Sequence, residues 1–253
     1  MKIVTLITAA ALGCGAVGAQ AATAPAPTSN QVEPQAVQAL TRMSAYLRTL
    51  STFQITLQTQ RDDVDVYGQL ITLSGAATYK VRRPNAFAIN LGLPNLSGQY
   101  VYDGKTVTVY DATTGYYSKI QAPSTIRATL DLAEARYGAK VPLDDLFRWA
   151  EGDDRAKSLT SAHYIGKAKV AGQSTNHYAF RQAGADWQIW IADGDKPAPL
   201  RVAIVAKNDP AKPQFQADLF WDTSPKFASN AFVFAAPPNS RPAPALASNQ
   251  PTH

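Results

Sequence analysis

The sequence predicts an α+β protein, mainly antiparallel β, and three observations carry that expectation. Apolar residues alternate with polar ones along many short stretches, glycine-bearing turn signals separate those stretches, and only a few windows show the three-to-four spacing of a helix. Composition agrees. Of 253 residues, 45% are hydrophobic, enough to build the core of one large β-domain or two small ones, and charged residues reach only 17%, a balance that favours strands and turns over long solvated helices.

The N-terminus reads as an export signal. Met1-Lys2 is a minimal positive start, Ile3 to Val17 is an apolar run broken by small residues, and Ala19-Gln20-Ala21 offers the pattern a signal peptidase cleaves. Residues 1–21 are therefore expected to be removed, and no later stretch approaches the ~18 apolar residues of a spanning helix. Cys14, the only cysteine, falls in this segment, and two fates stay open. It is discarded with the signal, or Ala11-Leu12-Gly13-Cys14 acts as a lipobox and Cys14 becomes a lipid anchor, although Ala11 departs from the usual Leu, Val or Ile. In both cases no disulfide can form within the chain.

Residues 22–32 alternate Pro with small residues and read as a linker. A helix follows, with Pro34 in its first turn and Val37, Leu40, Met43, Leu47 and Leu50 on one stripe. Period two then takes over at Phe53, Ile55 and Leu57, and again, beyond a Tyr67-Gly68 turn, from Ile71 to Val81. Phe87 to Leu93, Gln99 to Tyr102, Val107 to Tyr110 and Tyr116 to Ile120 continue a meander, with Asp103-Gly104-Lys105 as one of its hairpin turns. The pattern breaks at Pro123. Ser124 is placed to cap a helix running to Tyr137, and Pro142 to Trp149 reads as a second, short one. Strands resume at Tyr164 to Val170, Tyr178 to Arg181, Trp187 to Ile191, Leu200 to Ala206 and Gln214 to Trp221, with a last short strand at Ala231 to Phe234. The Pro- and Ala-rich residues 239–253 are expected to be disordered.

Charge and chemistry narrow the function. The net charge of +5 includes Lys2, and Lys and Arg are scattered singly apart from Arg82-Arg83, so no basic face for nucleic acid is expected. The chain after residue 21 has no cysteine nucleophile, and the sequence holds no G-x-S-x-G, no H-E-x-x-H and no phosphate-binding glycine loop. His163 and His177 are the only histidines before the tail. Asp144-Asp145 and Asp153-Asp154 are adjacent pairs that point apart rather than converge. No enzyme activity, cofactor or metal is expected, and a monomer is.

The ordered motifs Leu50-Ser51-Thr52-Phe53, Val81-Arg82-Arg83-Pro84-Asn85-Ala86-Phe87, Tyr102-Asp103-Gly104-Lys105 and Phe232-Val233-Phe234-Ala235-Ala236-Pro237-Pro238 resemble the LolA/LolB superfamily of periplasmic lipoprotein-localisation factors. They are closer still to a group of predicted periplasmic proteins that share that fold. The resemblance covers roughly residues 34–238. It implies a periplasmic domain over residues 33–238: a half-open, incomplete β-barrel with an N-terminal helix and a helical lid over an apolar concave face. In the LolA type, the arginine before Pro-Asn bonds to the lid and holds it shut, a role that falls on Arg83. The lid segment, Pro123 to Trp149, is longer and more charged than in that type.

The hollow is expected to be lined by Phe53, Ile55, Leu57, Tyr79, Phe87, Ile89, Leu91, Val107, Val109, Trp187, Ile189 and Ile191, with Leu130, Leu146, Phe147 and Trp149 above. Each of these taken singly reads as core packing; the set is read as a hollow because of the resemblance. The function so implied is binding or carriage of a lipid or acylated ligand, with transient membrane or lipoprotein contact. A regulator that binds a protein partner is the alternative.

Overall fold

The computed structural model describes residues 31–94, 96–137 and 155–244. Helix α1 (Pro34–Thr49) leads into strand β1 (Thr52–Val64) and a meander of β2 (Leu70–Arg82), β3 (Ala86–Leu93), β4 (Leu96–Tyr102), β5 (Thr106–Asp111) and β6 (Tyr116–Gln121). Helix α2 (Ile126–Tyr137) comes next. A 3-10 turn at Arg155–Ser158 precedes the second meander, β7 (Ser161–Val170), β8 (Gln173–Gln182), β9 (Ala185–Ala192), β10 (Pro199–Ala206) and β11 (Gln214–Asp222), and a two-residue β12 (Arg241–Pro242) ends the described chain. The expected second lid helix at Pro142 to Trp149, the signal segment with Cys14, and the acidic pairs at 144–145 and 153–154 lie outside the described residues.

All the strands form one sheet, ordered β12-β6-β5-β4-β3-β2-β1-β11-β10-β9-β8-β7. Every pairing is antiparallel except that of β12 with β6. The long β1 joins the two meanders, pairing with β2 from Thr52↔Arg82 to Val64↔Leu70 and with β11 from Gln54↔Asp222 to Arg61↔Phe215. Because β12 and β7 are edges and do not meet, the sheet is the half-open barrel the sequence implies.

Both edges are covered by the chain's own ends. Val32 bridges Ala162 beside β7, with the Glu33 N–H on the Ala162 carbonyl at 2.8 Å and the Ala162 N–H on the Gln31 carbonyl at 3.0 Å. On the other side the N–H groups of Arg241 and Ala243 reach the carbonyls of Gly115 and Tyr117 at 2.9 and 2.8 Å. An uncovered edge invites pairing with another chain, which gives these short contacts a purpose. They also correct two expectations. The tail expected to be disordered from Asn239 begins with a paired strand, and Ala231 to Phe234 forms a turn rather than a strand. Phe232 and Phe234 there pack, with Phe227 and Ala231, on the outward side chains Ala86, Ala88 and Val101. Apolar alternation in that stretch serves the outer face of the sheet, not a ladder.

The core lies on the concave face and gathers α1, α2 and strands of both meanders into one apolar cluster. Helix α1 buries Ala36, Ala39, Leu40, Met43 and Leu47; Leu40, Met43 and Leu47 are the expected stripe, while Val37 is half-buried and Leu50 is buried as the residue that ends the helix. Pro34 sits where its missing N–H costs nothing. The Glu33 carboxylate does not cap the helix but accepts the Tyr164 N–H at 3.0 Å, fastening the helix start to β7. Gln35 and that N–H hold the carboxylate below its ordinary pKa.

Candidate functional site

Strand alternation puts the expected lining on one side. Phe53, Ile55, Leu57, Tyr79, Phe87, Ile89, Leu91, Val107, Ile189 and Ile191 are all buried on the concave face with Leu130 of α2, and Trp187 packs against them half-buried. Val109 faces the same way, between Tyr100 and Ser118. Leu146, Phe147 and Trp149 lie outside the described residues. These side chains are brought together, but the helices fill the space between them. Under α2 a cavity of about 20 Å³ remains, lined by Phe87, Tyr100, Val107, Val109, Ile120, Thr129, Leu130 and Ala133, room for about one water and not for a hydrocarbon chain.

The two helices are held unequally. Helix α1 buries five residues, α2 only Ile126, Thr129 and Leu130. At roughly 1.5–3 kcal/mol for each large apolar side chain, α2 is the less firmly held of the two by its own buried side chains. Its start is pinned: the Ile126 N–H donates to the Pro84 carbonyl at 2.9 Å, and the Tyr102 hydroxyl donates to the Pro123 carbonyl. Thr129 Oγ1 also reaches the Pro123 carbonyl at 3.3 Å and the Thr125 carbonyl at 2.8 Å. The cap is Thr125, whose hydroxyl accepts the Ala128 N–H at 3.3 Å, one residue later than the expected Ser124. Beyond Leu130 the described helix surface is half-buried or exposed.

Arg83, the expected lock, stands at this anchor. Its guanidinium lies 5.8 Å from the Phe53 ring centre, its backbone N–H donates to the Ser51 carbonyl at 2.8 Å, and the next residue, Pro84, supplies the carbonyl that receives α2. The sequence reading assigned a role at this turn to Arg83 and none to Tyr102 or Pro84, whose oxygens make the bonds to the start of α2. The Tyr102 ring also packs on Phe87 at 5.4 Å.

The concave face opens at the opposite end of the sheet. There Arg61, Asp62, Asp63, Ile204, Ala206, Pro213, Gln214 and Phe215 line a cleft of about 400 Å³, within the roughly 300–1,000 Å³ of small-ligand sites. Ile204 and Phe215 are cross-strand partners, half-buried and packed on the core. Asp62 is held by the Thr72 hydroxyl at 3.1 Å and the Gln214 N–H at 3.2 Å, while Arg61 and Asp63 pair at 3.0 Å. The rim is thus polar and largely self-satisfied around an apolar floor. Carrying the β1 alternation across β10 and β11 reaches Ile204 and Phe215, a step the sequence reading left undone.

His177 stacks on Trp190 at 4.0 Å and meets Gln188 at 2.9 Å, and burial lowers its pKa despite that hydrogen bond; by strand alternation it lies on the outer face. Burial raises the Tyr100 hydroxyl, with Asp111 adding to the effect. Among the described residues no three His, Cys, Asp or Glu side chains cluster as a metal site would require, and no helix is long and apolar enough to cross a membrane.

Among the described residues, an open antiparallel sheet curls around α1 and α2 and presents a concave face whose apolar floor reaches the surface. The chain belongs to the family described as predicted periplasmic protein (DUF2092), which matches residues 36–244. No curated protein matches the sequence. Among solved structures it is similar to an uncharacterized conserved protein from Thermus thermophilus, at 13% identity and a TM-score of 0.47, over 83% of this chain and 99% of that one. It is also similar to the Mycobacterium tuberculosis lipoprotein LppX, at 12% and 0.43 over 77% and 98%. A LolA superfamily protein from Nitrosomonas europaea is similar at 8% and 0.38, over 79% and 97%.

Proposed function

We propose that this protein binds a lipid or acylated ligand on its concave face and carries it through the periplasm. The observation that supports this most is the continuity of the apolar surface, from the core under α2 to the cleft floor at Ile204 and Phe215. In the form described, the ligand's place is taken by α2.

Energetics fit an exchange. An acyl chain of about sixteen carbons gains on the order of 12 kcal/mol on leaving water. Lifting Ile126 and Leu130 exposes about 3–6 kcal/mol of apolar contact, less than the chain returns. A bilayer offers the chain a similar gain, so protein and membrane compete on near-equal terms. The bonds at the α2 anchor, each worth roughly 0.5–1.5 kcal/mol net, are on the scale that decides direction. Arg83 is assigned the task of keeping the anchor turn in place, and residues 1–21 that of export, with Cys14 lipidation read out by fatty-acid labelling.

The test is lipid extraction and native mass spectrometry of the protein purified from its own envelope, with titration of a fluorescent fatty acid. A co-purifying apolar ligand and saturable binding are expected. Absence of both overturns the proposal.

A further inference from the structure

The hairpin joining β1 and β2 carries apolar side chains into solvent. Val66 is 93% and Tyr67 91% exposed, and Val64 and Leu70, which pair across the strands, are 46% and 56% exposed. On one side β11 pairs with β1 only as far as Arg61, and on the other β3 pairs with β2 only from Ala76. Three residues of β1 past Arg61 correspond to ~10 Å of projecting ribbon.

Several backbone N–H groups of this tip are taken within the tip itself. The Asp65 carboxylate accepts the N–H groups of Tyr67 at 2.9 Å and Gln69 at 2.8 Å. The Asp65 N–H donates to the Gln69 carbonyl at 2.9 Å, that of Gly68 to the Asp65 carbonyl at 3.0 Å, and that of Val64 to the Asp63 carboxylate at 2.9 Å. Gly68 takes a φ of +80°, which only a glycine adopts freely, and so closes the turn. A loop entering an apolar medium must satisfy its backbone groups within itself. Asp65 makes the ordinary side-chain turn of a hairpin; what sets this tip apart is a valine and a tyrosine held almost fully in water.

We infer that the β1–β2 tip is a lipid-surface anchor: Val64, Val66, Tyr67 and Leu70 enter the interface of an electrically neutral bilayer and set the adjacent cleft against it. Area argues for lipid over protein. Four side chains on a two-stranded tip fall far short of the roughly 1,200–2,000 Å² buried by a specific protein complex, whereas a bilayer asks for no complementary surface. Tyr67 suits the interface, with an apolar ring and a polar end. Charge selects the lipid, since Asp62, Asp63 and Asp65 outnumber Arg61 there, which opposes an anionic membrane. Arg61, Asp62 and Asp63 also line the cleft, so the strand that carries the tip forms the cleft wall. The inference rests on the carrier reading for what docking delivers, not for the docking itself.

The test is co-sedimentation of the mature protein with phosphatidylcholine vesicles, alone and doped with phosphatidylglycerol, for the wild type and the double variant Val66→Ser with Tyr67→Ser. Wild-type partition onto the neutral vesicles that is insensitive to salt and weaker on the anionic ones is expected, with a loss of roughly ten- to a hundredfold in the variant. Neither substituted residue lines the cleft, so affinity for a monomeric fluorescent fatty acid in vesicle-free solution stays unchanged; a carrier reading that fails shows itself there instead. In a Tyr67→Trp variant the emission of the added indole, taken as the difference from the wild type with its four tryptophans, shifts to the blue only with vesicles. Three outcomes overturn the inference: equal partition of wild type and double variant, an indole emission that does not move when the Tyr67→Trp protein is on vesicles, or no partition of the wild type onto either vesicle. The last leaves the tip to a protein partner.

Discussion

The N–H of Ile126 donates to the carbonyl of Pro84 at 2.9 Å, so the helix that covers the concave face is fastened to the turn that carries Arg83. The start of α2 is thus tied to that turn. Its other attachment there is the Tyr102 hydroxyl on the Pro123 carbonyl. Tyr102→Phe deletes that bond and keeps the ring on Phe87. A loss of about 1 kcal/mol in urea unfolding is expected, together with faster uptake of a fluorescent fatty acid. Slower uptake would mean that the anchor holds the site open.

Arg83→Leu is expected to leave the fold intact and to change ligand retention. Removing the guanidinium that faces the Phe53 ring loosens the anchor turn, and off-rates measured by dilution of a labelled fatty acid are expected to rise. Unchanged off-rates would remove Arg83 from the mechanism.

Acid is expected to weaken the fold in two stages. His177 has a folded pKa lowered chiefly by burial, so its neutral form is the one the fold favours. That contribution is complete above the unfolded value of about 6.5 and is lost as pH falls through the folded one. Asp186 is held low first by its hydrogen bond from Arg181. Asp103 is pushed up by burial, yet hydrogen bonds from Thr106 and Lys105 bring it below the ordinary range. Their stabilisation is present above about pH 3.9 and is lost below it. Urea midpoints against pH should fall in both windows in the wild type, and only in the lower one for His177→Phe.

Ending the chain after Pro238 uncovers the β6 edge that Arg241 and Ala243 occupy. Self-association is expected, seen as a rise in light scattering with protein concentration, while the concave core stays folded. A monomeric truncation would show that β6 needs no cover.

The sheet was legible because period two and turn chemistry are local. Phe53, Ile55 and Leu57, or Phe87, Ile89 and Leu91, declare their common face without reference to any distant residue. The α1 stripe declared itself in the same way. What could not be read locally was partnership. The β12 pairing depends on Gly115 and Tyr117, more than 120 residues upstream of Arg241, and Arg241-Pro242 has no strand signature of its own. Phe232 and Phe234 have the alternation of a strand but spend it on the outer face, where Arg82 lies 4.7 Å from the Phe232 ring centre. Periodicity put the described members of the lining set on one face, and it could not say that α1 and α2 pack against that face. The cleft floor at Ile204 and Phe215 needed the register across β10 and β11.

The most direct measurement locks α2 to the sheet. Val109 of β5 and Ala133 of α2 line the same small cavity, and a Val109→Cys, Ala133→Cys variant of residues 22–253 can be titrated with a fluorescent fatty acid, oxidised, with thiol titration confirming that the bridge has closed, and then reduced. Binding is expected to vanish on oxidation and to return with the reductant. Equal affinity in both forms would show that the ligand never enters beneath the helix and would contradict a carrier built on this concave face.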